Sequence, residues 1–192
     1  PEQYFIPAHN PRKGALTFKS ETFLIAMYDQ IIKQNPNVEY LFKTDDDCYV
    51  DTHLFQERIK ILESENKTID YGGSLIGWNH PDRREMKNWY TSYITYPFAY
   101  LPTYATGGGY VVSPKFLECV VGEGHVAKVP YMTLEDSAVG LLAERCDIKP
   151  VHTHGIHYRL RHDTSIRATV QHDVQKHELM LELHELVLAA LN

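Results

Sequence analysis

The sequence has little of several features that mark specialised classes of protein. Its 192 residues include three cysteines, too few for a disulfide scaffold, and the odd number leaves at least one unpaired within the chain. No stretch approaches the ~18–20 consecutive apolar residues of a membrane-spanning helix. Basic residues number 19 against 25 acidic ones, and the net charge of −6 argues against a protein that coats nucleic acid.

The composition is that of a chain that folds around a core. Apolar residues make up 43% of the sequence and charged residues 23%, and the length allows one domain of ordinary size. Thirteen tyrosines and eleven histidines are many for this length. They suit a polar cleft with aromatic walls, and half-buried positions around the core would account for them equally well.

Helical and strand patterns alternate along the chain, which indicates an α/β layered domain. The predicted helices cover residues 16–34, the segments that follow Asp51 or Thr52 and Ser113-Pro114, the segment from Thr133, and a final stretch with Leu179, Leu183, Leu186 and Ala190 inward. The predicted strands cover residues 39–44, 69–77, 110–112 and 166–171, with an extended segment at 151–158.

Three adjacent carboxylates, Asp45, Asp46 and Asp47, follow the predicted strand at 39–44. In an extended turn Asp45 and Asp47 point to one side and Asp46 to the other. Such a pair can hold a hard divalent cation such as Mg²⁺ or Mn²⁺. A solvated acidic turn is the alternative, but ligands in open α/β sheets bind beyond the carboxyl ends of strands, which favours a cation site.

Two further segments carry candidate binding groups. Gly107, Gly108 and Gly109 have no side chain to keep a sugar or phosphate from the backbone, and a flexible hinge is the alternative. The run matches neither a dinucleotide-binding nor a Walker fingerprint. Glu135 and Asp136 open a predicted helix, where a carboxylate is either a general base or a plain helix cap.

Histidine and cysteine offer further candidate ligands. A histidine of the C-terminal third could complete a metal site, although no spacing matches a zinc motif. We expect Cys48 to pack as a small buried hydrophobe, and the sequence leaves a bridge between Cys119 and Cys146 open. The histidines concerned are His152, His154, His157, His162 and His172.

Six segments, taken in order from about residue 15 to the end, resemble the motifs of one family. They are residues 16–21 (LTFKSE), 40–50 (YLFKTDDDCYV), 87–90 (KNWY), 104–113 (YATGGGYVVS), 135–140 (EDSAVG), and 168–172 (ATVQH) with 178–180. Each is weak alone, but their order and spacing resemble the inverting β-1,3-glycosyltransferases of the galactosyltransferase group. That group includes β-1,3-N-acetylglucosaminyltransferases and the more distant Fringe-like and core-1-type relatives.

The resemblance implies a GT-A type fold, a Rossmann-like layered sheet with flanking helices, in a single catalytic domain over residues 1–192. It implies metal-dependent transfer of galactose or N-acetylglucosamine from a UDP-sugar donor to a glycan hydroxyl, with a β-1,3 linkage formed. Mn²⁺, or Mg²⁺, is the implied cofactor, which would neutralise charge on the leaving diphosphate. The implied partners are the donor and the acceptor, without nucleic acid.

Motif positions then carry the implied roles. Asp136 is expected to deprotonate the acceptor hydroxyl, which attacks C1 in one step. Asp45 and Asp47 are expected to bind the metal together with a histidine, either His172 or His157, with His172 ranked first. The positions expected to bind the donor are Asp45, Asp46, Lys87, Gly107, Gly108, Gly109 and Glu135.

The resemblance also implies parts that this sequence does not show. The family's domain begins with a strand and a helix that shape the nucleoside pocket, and these are expected before Pro1, which would make the chain N-terminally truncated. The parent is expected to be a type II membrane protein of the Golgi lumen. Two rival functions are a non-catalytic glycan-binding relative of the same fold and a Mg²⁺-dependent phosphate hydrolase built on the Asp triplet.

Overall fold

The computed structural model describes residues 15–153, 156–157 and 168–191. The helices are α1 (Ala15–Met27), continued by a π-helical turn (Tyr28–Ile32), α2 (Thr52–Ser64), α3 (Pro114–Leu117), continued by a second π-helical turn (Glu118–Gly122), α4 (Glu135–Arg145) and α5 (His177–Leu191), with a 3₁₀ turn at Val126–Lys128. The strands are β1 (Leu41–Thr44), β2 (Tyr49–Val50), β3 (Tyr71–Ile76), β4 (Tyr104–Val112), β5 (Val151–His152), β6 (Ile156–His157) and β7 (Val170–Gln171).

Strand β4 lies inside the main sheet, whose order is β1-β4-β3-β5. It pairs antiparallel with β1 and with β3, whereas β3 and β5 run parallel. A smaller sheet of order β2-β7-β6 places β7 antiparallel to β2 and parallel to β6. Helices together with a mixed sheet confirm the predicted α/β class, and the finer assignment to a GT-A fold stays a prediction.

The glycine run lies within β4 instead of preceding a strand. Gly109 pairs with Thr44 of β1, so the hinge interpretation is wrong. A Cβ atom added at Gly109 would lie 2.9 Å from the Phe42 ring, and one at Gly73 would lie 2.7 Å from the Cβ atom of Ala105. The strands come this close because these positions have no side chain.

The core lies between the main sheet and α4. A Cβ atom at Gly140 would lie 2.7 Å from the Cβ atom of Tyr104, so α4 rests directly on β4. The ring of Tyr71 stacks on Phe116 at 5.6 Å and meets Tyr110 edge-on at 5.9 Å. This dense packing holds in place the strand that carries the glycine run.

Two predicted helix caps are confirmed and one is wrong. The side chains of Asp51 and Ser113 each accept a backbone N–H bond from the first turn of the following helix. Helix α4 begins at Glu135, and Thr133 does not cap it. The Thr133 hydroxyl instead donates to the backbone carbonyl of Tyr90, which ties the irregular segment to the start of α4.

The buried faces of two helices differ from the apolar pattern. Leu183 and Val187 are buried on α5, whereas Leu186 and Ala190 are exposed, so the predicted buried stripe is wrong in the C-terminal half of the helix. On α1 the buried face includes polar residues, among them Thr17, whose hydroxyl donates to the carbonyl of Met132. None of the helices in the described part of the chain is long and apolar enough to cross a bilayer.

A disulfide joins Cys119 to Cys146, with their Cα atoms 6.1 Å apart. It connects the π-helical turn after α3 to the residue that follows α4. The sequence left this bridge open, because two helical cysteines 27 residues apart carry no local signal of contact.

Candidate active site

A cleft of about 1320 Å³ opens where β1 ends and α4 begins. It collects most of the candidate residues: Asp45, Asp46, Asp47, Gly107, Gly108, Glu135, Asp136 and His172. Gly109 does not line the cleft, because it packs against Phe42 and Val170. The backbone of His157 lies in β6, and its side chain falls outside the described part of the structure.

The Asp triplet meets His172 because β2 pairs with β7. Tyr49, two residues after Asp47, lies opposite the residue that precedes His172. The Nε2 atom of His172 lies 3.4 Å from Asp47 Oδ1 and 3.8 Å from Asp45 Oδ2. Asp46 is exposed and lines the same cleft as Asp45 and Asp47. His172 thus lies within 4 Å of a carboxylate oxygen of both Asp45 and Asp47, and the ligand atoms of Asp47, Cys48 and His172 all lie within 4.8 Å of one another.

Lys43 links this point to the start of α4, and the sequence analysis missed it. Its Nζ atom donates to Asp45 Oδ1 at 2.7 Å and to the Gly107 carbonyl at 3.1 Å, and lies 3.7 Å from Glu135 Oε2. The signal was available, because Lys43 precedes Asp45 by two residues where a predicted strand ends, and alternate residues of extended chain point to the same side.

Glu135 and Asp136 occupy the first turn of α4. The Tyr110 hydroxyl donates to Glu135 Oε1 at 3.1 Å. Asp136 accepts backbone N–H bonds from Gly107 at 3.2 Å and Ser137 at 3.0 Å. Both carboxylates are therefore held in fixed positions beside the glycine run.

Burial, followed by the neighbouring charge of Glu135, raises the pKa of Asp136 to about 7, although two backbone N–H groups and Lys43 act in the opposite direction. An aspartate with a pKa near 7 is a stronger base than an exposed one and is still partly ionised at neutral pH. The arrangement therefore supplies a proton acceptor at a largely buried position of the cleft.

Gly107 lies at the centre of these carboxylates. A Cβ atom there would lie 3.6 Å from Asp45 Oδ2, 3.7 Å from Glu135 Oε2 and 3.9 Å from Asp136 Oδ2. A Cβ atom would thus be in van der Waals contact with these three carboxylates, and a larger side chain would occupy the space among them. A ligand can therefore approach the β4 backbone between them.

Gly108 anchors the turn that carries the triplet. Its carbonyl accepts hydrogen bonds from the Thr44 hydroxyl at 2.9 Å and from the Cys48 thiol at 3.1 Å. We expected a small buried hydrophobe at Cys48, but its side chain is half-buried and hydrogen-bonded. Burial raises the pKa of its thiol to about 11, although hydrogen bonds from Thr44 and the backbone lower it, so the thiol stays protonated and available as a donor.

Two basic residues of the segment between β3 and β4, Lys87 and Arg83, differ in whether they line the cleft. Lys87 is exposed and is not among the residues that line the cleft, so its assignment to the donor diphosphate gains no support. Arg83 does line the cleft, but its guanidinium donates to backbone carbonyls of residues 91, 96 and 98 at 2.8 Å each. Arg83 therefore holds the segment together, a role that motif analysis missed.

The sequence matches a family model described as Galactosyltransferase over residues 14–154. The chain belongs to the galactosyltransferase family. The matched region of this galactosyltransferase-family chain holds Lys43, the Asp triplet, the glycine run, Glu135 and Asp136, and His172 lies beyond it.

Several relatives of known activity are similar to this family member. It is 31% identical to beta-1,3-galactosyltransferase 5 of Mus musculus over 120 residues. That aligned region covers 62% of this chain and 37% of the mouse protein. It is 32% identical over 116 residues to the Homo sapiens protein of the same name, and this alignment covers 59% of this chain and 36% of the human protein. It is 32% identical over 122 residues to UDP-GalNAc:beta-1,3-N-acetylgalactosaminyltransferase 1 of Rattus norvegicus, and this alignment covers 61% of this chain and 34% of the rat protein. The matches thus span about a third of the length of these relatives.

Proposed function

We propose that this protein transfers galactose or N-acetylglucosamine from a UDP-sugar to a hydroxyl group of a glycan, with inversion at the anomeric carbon. The observation that carries the proposal is the open position at Gly107. Carboxylate oxygens of Asp45, Glu135 and Asp136 all lie within 3.6–3.9 Å of a Cβ atom placed there. A carboxylate suited to binding a cation and a carboxylate suited to accepting a proton therefore both lie beside one position that a ligand can occupy.

The candidate metal-ligand atoms near Asp45 suit Mn²⁺ or Mg²⁺. Asp45 and Asp47 offer hard carboxylate oxygens and His172 offers an imidazole nitrogen, a combination that Mn²⁺ accepts readily. We assign these three residues as the metal ligands, with His157 as the alternative histidine. When bound, the cation would neutralise charge on the leaving diphosphate. The Cys48 thiol lies near Asp47 and His172 but donates to a carbonyl, so we do not assign it as a ligand.

Asp136 acts as the base in this proposal. It takes the acceptor's hydroxyl proton while the acceptor oxygen bonds to C1 of the sugar and the bond from C1 to the UDP oxygen breaks. One carboxylate suffices, because inversion in a single displacement needs no covalent intermediate. The positive charge of Lys43 offsets the negative charges of Asp45 and Glu135 within the site.

The linkage and the compartment complete the proposal. The similar proteins named above are beta-1,3-transferases, which supports a β-1,3 linkage. The bridge between Cys119 and Cys146 supports an oxidising compartment such as the Golgi lumen, because disulfides persist there and are rare in the cytosol. We further propose a GT-A type domain whose parent protein is a type II membrane protein.

Calorimetric titration of UDP, with and without Mn²⁺, tests the donor site on this chain and on a form extended at its N-terminus. Metal-dependent UDP binding is expected in at least one form, followed by acceptor-dependent release of UDP from UDP-galactose or UDP-N-acetylglucosamine. Release of inorganic phosphate would instead indicate a phosphate hydrolase. Glycan binding without UDP binding or transfer would indicate a non-catalytic relative.

A further inference from the structure

Three aromatic rings form an exposed cluster between β3 and β4. The Trp78 ring meets Tyr100 edge-on at 5.6 Å, and the His80 ring lies 4.5 Å from Tyr100 at an angle of 34°. Trp78 is 84% exposed and Tyr100 46%. We call Trp78, His80 and Tyr100 the aromatic platform.

The platform is held by the backbone beneath it. The His80 Nδ1 atom lies 2.9 Å from the Ala99 carbonyl, and the Leu101 N–H donates to the Asn79 carbonyl at 2.8 Å. The Asn79 amide donates to the Tyr104 hydroxyl at 3.1 Å, which joins the platform to β4. Its rings are thus presented from two chain segments that hydrogen bonds keep together.

The backbone at Trp78 is unusual for a tryptophan. Its φ angle is +56°, in the left-handed region that bulky residues rarely adopt. The residue gains little burial within this chain, because it is 84% exposed. A strained backbone that presents a large apolar ring to solvent is more common at binding sites than elsewhere.

The platform adjoins the cleft that holds the candidate base. His80 and Asn79 line that cleft together with Asp136. From this continuity we infer that the aromatic platform binds a pyranose ring of the acceptor glycan, one residue or more away from the hydroxyl that reacts. This inference rests on the proposed function, and it names an acceptor subsite for oligosaccharide chains.

The chemistry of the platform fits a neutral sugar. One face of a pyranose ring presents C–H groups, which pack against aromatic faces, while its hydroxyl groups remain free to bond water. The platform contains no carboxylate or ammonium group, so it offers little to a diphosphate. Rigid aromatic rings also lose little conformational entropy on binding.

Acceptors of two lengths test this inference. The probes are methyl β-glycosides of galactose and N-acetylglucosamine, and the β-linked disaccharides that end in each. We expect Trp78→Ala to lower kcat/KM for the disaccharides at least tenfold through KM, and to change it less than twofold for the monosaccharides. Trp78→Phe should restore most of the loss. Met86→Ala, on the same segment and 95% exposed, is the matched control and should behave like wild type.

Binding measured without turnover separates this inference from the proposed function. Saturation-transfer NMR with the disaccharides should show contacts in the wild type that Trp78→Ala and Tyr100→Ala remove. If the wild type does not transfer sugar but shows these contacts, the proposed function fails and the platform stands. Equal losses for both acceptor lengths, no loss for either, or Trp78-dependent binding to phosphatidylcholine vesicles in place of glycans would overturn the platform.

Discussion

The ammonium group of Lys43 lies 2.7 Å from the carboxylate of Asp45 in the interior of the cleft wall. Burial lowers the pKa of Lys43, but the charge of Glu135 and the hydrogen bond to Asp45 raise it more, so the pKa stays above its ordinary value. The side chain therefore remains charged and joins the proposed cation side of the cleft to the proposed base side.

Replacing Lys43 should destabilise the protein more than replacing a lysine of a surface pair. Lys43→Met leaves Asp45 and Glu135 without their buried cation, for which we expect a loss of about 3 kcal/mol in the free energy of unfolding. Lys115, whose side chain is 74% exposed beside Asp70, is the matched control. Lys115→Met should cost less than ~1 kcal/mol. Equal losses in urea denaturation of the two variants would contradict the structural role of Lys43.

Removing the base should affect turnover and not binding. We expect Asp136→Asn to bind UDP in the presence of Mn²⁺ like the wild type and to lose ~10²–10⁴-fold in kcat, the usual contribution of a general base. Glu144→Gln, an exposed change on the same helix, serves as the control and should retain full activity. Turnover of Asp136→Asn close to that of the wild type would reject Asp136 as the base.

The pH profile of the wild type should report the same group. Burial, with the charge of Glu135, raises the pKa of Asp136 to about 7. The ionised form takes the proton, so kcat/KM is expected to reach a plateau above about pH 7 and to fall roughly tenfold per pH unit below it. Steady-state assays from pH 5 to 9 measure this. A plateau that continues down to pH 5 would be inconsistent with Asp136 as the base.

Metal affinity should distinguish the two candidate histidines. Because the Nε2 atom of His172 lies within 3.8 Å of Asp45 and Asp47, we expect His172→Ala to weaken Mn²⁺ binding at least tenfold and Asp47→Ala to abolish metal-dependent UDP binding. His157→Ala is expected to bind Mn²⁺ like the wild type. Equal affinity in both histidine variants would remove His172 from the metal site.

A buried carboxylate on α1 should make stability depend on pH. Burial raises the pKa of Glu21 to about 7, against the opposing hydrogen bond with Tyr131. Below about pH 4.5 the group is protonated in both the folded and the unfolded states, and its contribution to stability is complete. As the pH rises to about 7 that contribution is lost, because only the unfolded chain ionises it freely.

Glu21→Gln should therefore raise the free energy of unfolding at pH 8 by ~1–3 kcal/mol and leave it nearly unchanged at pH 4. Glu57→Gln, an exposed change on α2, is the control and should have little effect at either pH. Urea denaturation at the two pH values measures the difference. A Glu21→Gln variant that is less stable at pH 8 would show that the carboxylate is paired and favourable.

Local patterns predicted the elements that carry the site. The apolar run before Asp45 forms β1, and the caps at Asp51 and Ser113 start the helices expected of them. These features depend on a few neighbouring residues, such as a hydroxyl or carboxylate that meets a backbone N–H two or three positions later. Their geometry is therefore already contained in short stretches of sequence.

Features that depend on distant packing were not predictable in this way. A run of three glycines allows a hinge or a strand, and its place inside β4 follows from close contact with Phe42 and with the carboxylates around the cleft. On α5 the buried face centres on Val187 instead of Leu186, because the surface on which the helix lies selects the face. Helical periodicity alone does not decide which of two adjacent apolar residues faces the core, so the predicted buried face is uncertain by about one residue.

The sequence by itself determined the α/β class, the family and the candidates for base and cation site, because these follow from short motifs and from alternating side chains. Tertiary structure alone decided which distant groups meet. The pairing of β2 with β7 brings His172 to Asp47, and the pairing of β1 with β4 brings the Lys43 ammonium group to the carbonyl of Gly107. Such contacts join residues more than 60 positions apart, and they form only when the whole core packs.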